Sequence, residues 1–131
     1  MNILDVDPGE IFERFKNTDK LSALFKMQRE LMKGFGMTDS IVLETRKGQE
    51  EFRRFVYYII EELIEGANLL KIRPWTRTEV TVDKMHVYEE LIDALMFMIE
   101  LFIKLGIDEK KLFELFARKY LVNMFRIRSN Y

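Results

Sequence analysis

The chain has 131 residues, 48% of them apolar and 33% charged, with a net charge of -1. That balance predicts one globular domain over residues 1–131 and argues against a nucleic-acid polymer as partner. The absence of cysteine excludes a disulfide scaffold, a thiolate zinc site and a cysteine nucleophile, and the single His86 leaves no multi-histidine zinc site.

Glycine and proline are scarce and long windows carry helical periodicity, so the expected fold class is all-α, a bundle of about five helices. At Asp7-Pro8-Gly9-Glu10, Asp stands at an N-cap, Pro at the first helical position and Glu at the third, which predicts a short helix to about Lys16. Thr18 or Asp19 caps a second helix through Met27-Gln28-Arg29-Glu30-Leu31-Met32, ended by Gly34 and Gly36. A third spans roughly Gln49 to Leu70, where Phe52, Phe55, Val56, Ile59, Ile60, Leu63, Ala67 and Leu70 form one apolar stripe. Pro74 forbids easy continuation, and Arg73 to Asp83 reads as a loop with Val80 and Val82 turned to the core. A fourth helix covers about Lys84 to Leu105 and stops at Gly106. Asp108 caps a fifth from Glu109 to about Arg126. The run Leu91 to Leu105 is too short and too charged to span a membrane, and the N-terminus has no basic region followed by a long apolar run; the expected location is cytoplasmic.

Two carboxylate pairs stand out. Glu62-Leu63-Ile64-Glu65 lies on the third helix and Glu90-Leu91-Ile92-Asp93 on the fourth, each placing two acids on one helical face. If these helices pack antiparallel, four carboxylates converge, and the natural compensation is a hard divalent cation, Mg²⁺ or Mn²⁺. The other reading is an ordinary polar stripe: on the fourth helix His86, Glu89, Glu90, Asp93, Glu100 and Lys104 fall on roughly one face. Against it, Asp93 is embedded in Leu91-Ile92-Asp93-Ala94-Leu95-Met96-Phe97, and Glu62 and Glu65 share a face with Tyr58 and Leu69.

The ordered pair Glu62-x-x-Glu65 and Glu90-x-x-Asp93 resembles the metal signature of the all-α nucleoside triphosphate pyrophosphatases, the MazG-like superfamily. Further segments resemble one branch of it, the dimeric dUTPases and phage dCTPase-dUTPases: Met27-Gln28-Arg29-Glu30-Leu31, then Leu70-Lys71-Ile72-Arg73-Pro74-Trp75, then Lys119, Asn123, Arg126 and the terminal Tyr131. The resemblance runs from about Leu21 to Tyr131 in the right order. The chain departs from the branch at Met32, at Met98 (where an aromatic is common and Phe97 stands beside it), and at Ile127 and Asn130.

The resemblance implies a homodimer that hydrolyses a deoxynucleoside triphosphate, dUTP first and dCTP second, to the monophosphate and pyrophosphate. Glu62, Glu65, Glu90 and Asp93 would hold Mg²⁺ and one glutamate would act as general base. Gln28, Trp75 and Asn123 would shape the base pocket, Lys71, Lys119 and Arg126 would meet the phosphates, and Phe97 and Tyr131 would also contact the substrate. Each has a plainer reading: Gln28 as a surface amide, Trp75 as a core plug, Asn123 as a partner of a neighbouring helix, and Lys71 with the basic C-terminal residues as complements of helix dipoles. Two other functions fit the pattern, a broader pyrophosphatase of other or modified nucleotides and a dimeric helical interaction module.

Overall fold

The computed structural model describes residues 2–129, and among them the secondary structure is helical, with no strand. A 3₁₀ turn, Ile3–Asp5, precedes five α-helices: α1 Gly9–Arg14, α2 Lys20–Gly34, α3 Arg46–Asn68, α4 Lys84–Lys104 and α5 Glu109–Arg128. No described helix is long and apolar enough to cross a membrane.

Local chemistry sets the ends. Asp19, Thr45, Asp83 and Asp108 each accept a backbone N–H from the residue three ahead, satisfying one orphan donor at the start of α2, α3, α4 and α5. Gly36 and Gly106 take left-handed φ values of 68° and 79°. Just beyond them Met37 N–H reaches Met32 C=O at 2.8 Å and Ile107 N–H reaches Phe102 C=O at 2.8 Å, closing both helices with the six-to-one bond that only a left-handed residue permits easily.

Three expectations shift. α1 starts at Gly9, with Pro8 at the cap; Asp7 binds Gly9 N–H at 2.9 Å from one residue further out, and the helix stops at Arg14, not Lys16. α3 begins at Arg46 because Thr45 donates to Val42 C=O at 2.8 Å and accepts from Gly48 N–H at 3.0 Å, which starts the helix three residues before Gln49. Val80 and Val82 are exposed, so the loop between α3 and α4 does not return them to the core.

α3 and α4 pack along most of their length in antiparallel sense, and α2 lies across α4 with α5 against α2. The core joins Ile41, Phe55 and Leu101, flanked by Phe52, Tyr58, Ile59, Phe97 and Leu105. Its aromatic rings meet edge-on, with Phe55 and Tyr58 centroids 5.6 Å apart at 69° and Phe55 and Phe97 6.3 Å apart at 76°, a favoured geometry for ring quadrupoles. The segment between α2 and α3 is strapped to the end of α4: Ile41 N–H donates to Lys104 C=O at 2.8 Å and Lys104 Nζ to Asp39 C=O at 3.2 Å.

The core is small for the chain. The described protomer exposes 10842 Å², where a compact monomer of this mass exposes roughly 7,300 Å². Large apolar side chains are among those exposed, including Phe113, Phe116, Tyr120 and Phe125 on α5 and Leu91, Ile92, Leu95 and Met96 on α4.

Candidate active site

Antiparallel packing sets Glu62 and Glu65 of α3 against Glu90 of α4, with one carboxylate oxygen from each within 4.8 Å of the others. Gly66 is what lets the helices approach here: a Cβ on it would lie 3.3 Å from Glu90 Cβ, tighter than ordinary contact. Glu90 is also reached by His86, one turn back on α4, whose Nε2 is 3.2 Å from Glu90 Oε1. Asp93, one turn forward, stands outside the group of three, yet its charge acts on Glu62.

The electrostatics match the crowding. Burial, a hydrogen bond with Glu90 and the charges of Glu65, Asp93 and Glu90 push the Glu62 carboxyl up to about 7. Asp93 is raised by burial and by Glu90 and Glu89. These acids oppose one another's ionisation, which is the condition a cation relieves. The donors are all hard carboxylate oxygens, the chemistry that could hold a hard divalent cation. Its ligands would be Glu62, Glu65 and Glu90, with Asp93 next to them.

A cleft of about 570 Å³ opens beside this group, lined by Gln28, Leu31, Phe35, Met37, Tyr58, Glu62, Asp93, Met96, Phe97 and Glu100. Glu62 and Asp93 stand at its acidic end. Tyr58 and Phe97, with ring centroids 5.4 Å apart, wall the middle. Gln28, 6% exposed, and Glu100, 7% exposed, form the far end, joined by a 3.3 Å hydrogen bond from Gln28 Nε2 to Glu100 Oε1. Burial raises the Glu100 carboxyl, against the pull of Lys104 and Gln28.

The structure therefore brings together Glu62, Glu65, Glu90 and, beside them, Asp93, Gln28 and Phe97. It does not bring the remaining candidates to this cleft. Trp75 is 77% exposed in the loop between α3 and α4, so it neither plugs the core nor lines this cleft. Lys71 caps its own helix, donating to Asn68 C=O at 2.7 Å. Lys119, Asn123 and Arg126 are exposed on α5 and are not among the lining residues. Tyr131 falls outside the described residues.

Gln28 is buried rather than a surface amide, and the polar stripe on α4 is not a solvated face throughout, because Glu100 and Lys104, each under 8% exposed, are buried. Sequence reasoning passed over Tyr58, Glu100 and Gly66 as site residues. Glu100 lies two turns from Asp93 on the same helix, and that spacing was the available signal. Comparison with protein-family models, curated proteins and solved structures returned no match.

Proposed function

We propose that this protein is a Mg²⁺-dependent, MazG-like pyrophosphohydrolase that cleaves a pyrimidine deoxynucleoside triphosphate, dUTP or dCTP, to the monophosphate and pyrophosphate, and that it works as a homodimer. The observation that carries this reading is one cleft that runs from Glu62, a member of a carboxylate group able to hold a cation, and Asp93 past an aromatic wall to a buried amide. A nucleotide has the same order of parts: anionic phosphates, an apolar sugar-base body and a hydrogen-bonding base edge.

Glu62, Glu65 and Glu90 would hold the ion, and Asp93 adds charge at the phosphate end. Bound Mg²⁺ supplies charge neutralisation at phosphoryl oxygens and lowers the pKa of a coordinated water. One carboxylate of the group accepts a proton from the attacking water as general base. Tyr58 and Phe97 form one apolar wall against which the base packs, while the Gln28 amide meets its edge. No side chain here has to act as a nucleophile.

The dimer answers two facts. The chain exposes more surface than a compact monomer of its mass, with many large apolar side chains on it, and the basic residues of α5 do not line their own cleft. In this reading Lys119, Asn123 and Arg126 serve the neighbour's site, where cations meet the leaving pyrophosphate.

The test is pyrophosphate release from dUTP, dCTP, dTTP, dATP, dGTP and UTP with Mg²⁺, beside an EDTA control. Metal-dependent release confined to dUTP and dCTP is expected. Equal release from all six would make the protein a broad nucleotide pyrophosphatase, and no release from any would remove the enzymatic reading.

A further inference from the structure

The base end of the cleft contains two acceptors rather than one. Gln28 turns its amide nitrogen to Glu100 Oε1. A planar amide held that way points its carbonyl oxygen away from Glu100. The carboxylate has a second oxygen, and an ionised carboxylate only accepts. Both residues line the cleft. Along α4, Glu100 lies seven residues from Asp93, about 10 Å of helix rise, with the Tyr58–Phe97 wall between the two ends. Burial opposes the Glu100 carboxylate most, so the comparison belongs at pH 8; Lys104 on its own helix and the Gln28 amide from α2 favour the carboxylate, and Glu51 on α3 opposes it.

Resting on the pyrimidine-nucleotide reading above, we propose that Glu100 is a specificity-determining residue that makes this end of the cleft prefer a pyrimidine carrying an exocyclic amine, so that a cytosine nucleotide is taken ahead of a uracil nucleotide. The cytosine 4-amino group offers two N–H donors, and carboxylate acceptance of that amine is a recognised mode of base reading. Uracil places a carbonyl oxygen at the same position. Facing Glu100 it sets acceptor against acceptor in a buried site, where an unmade hydrogen bond is costly. The ranking that the family resemblance implies, dUTP before dCTP, is thereby reversed. If Glu100 served only as a strap between α2 and α4, its loss would change stability and leave base choice alone.

The experiment measures kcat/KM for dCTP and dUTP at pH 8 with Mg²⁺, for the wild type and Glu100→Gln. In parallel, calorimetry with Mg²⁺ measures binding of the product monophosphates dCMP and dUMP. The wild type should favour cytosine by about tenfold or more in both measurements. Glu100→Gln, whose amide can donate to the uracil oxygen, should cut that ratio by about tenfold, mainly through KM. A wild-type preference for uracil or for neither base overturns the proposal, even if the variant fails to fold. So does a folded variant with an unchanged ratio. Should no triphosphate be hydrolysed, the enzymatic reading falls. Tighter dCMP than dUMP binding would then still support the role of Glu100, and equal or absent binding would overturn it as well.

Discussion

Glu62 holds a proton in the folded chain that it would surrender when unfolded: its carboxyl titrates near 7 beside Glu65, Glu90 and Asp93, against an ordinary value of 4.5. Its contribution to stability is therefore complete below about pH 4.5 and is lost as pH rises through about 7. Asp93, also raised, acts in the same direction. Melting curves without metal should show the protein less stable at pH 8 than at pH 5.5, and Mg²⁺ should restore stability at pH 8 far more than at pH 5.5. Glu62→Gln should remove most of that pH dependence, abolish the Mg²⁺ effect and lower turnover by about a hundredfold or more, with helicity by circular dichroism intact. Asp93→Asn should also impair turnover. Normal turnover in both variants would remove the site assignment.

At the scale of elements, two glycines do opposite work on α3. Gly48 sits under the turn that starts the helix, and a Cβ there would lie 1.8 Å from the carbonyl oxygen of Val42, backbone that cannot step aside. Gly48→Ala should cost about 2 kcal/mol or more in denaturant unfolding, in spite of alanine's better helix propensity. Gly66 faces Glu90 Cβ at a distance that a few tenths of an ångström would relieve. Gly66→Ala should leave global stability within about 1 kcal/mol, because propensity offsets the squeeze. It should nonetheless weaken the Mg²⁺-induced rise in melting temperature, since spreading α3 from α4 separates Glu62 and Glu65 from Glu90. A Gly66→Ala protein with an undiminished metal response would show that the helix spacing does not tune the site.

At the scale of the molecule, α5 exposes aromatics and the middle of α4 exposes Leu91, Ile92, Leu95 and Met96, on a chain whose surface exceeds that of a compact monomer of its mass. Sedimentation should find a dimer at micromolar concentration, and Phe116→Glu, at a position 73% exposed in the protomer, should shift it toward monomer with little loss of helix. If α5 serves the neighbour's cleft, then mixing Glu62→Gln with Lys119→Ala, each impaired alone, should recover about a quarter of wild-type activity through mixed dimers. No recovery on mixing, with exchange of subunits verified, would place the arm at its own subunit's site.

The helical class, the caps at Asp19 and Asp108 and the glycine stops at Gly36 and Gly106 were legible in the sequence, because caps, left-handed turns and periodicity act over a few neighbouring residues. So were the two carboxylate pairs, since three-residue spacing alone puts them on one face. What the linear pattern could not decide was which faces meet. The antiparallel contact of α3 with α4 draws Glu90 to Glu62 and Glu65 while Asp93 stands beside them. The crossing of α2 buries Gln28 against Glu100, 72 residues away. The loop leaves Trp75 in solvent, where a local reading gives an indole a buried role. Those outcomes depend on helix packing between distant segments, which balances apolar burial against the cost of burying charge over the whole chain. Only the assembled tertiary structure settles that balance.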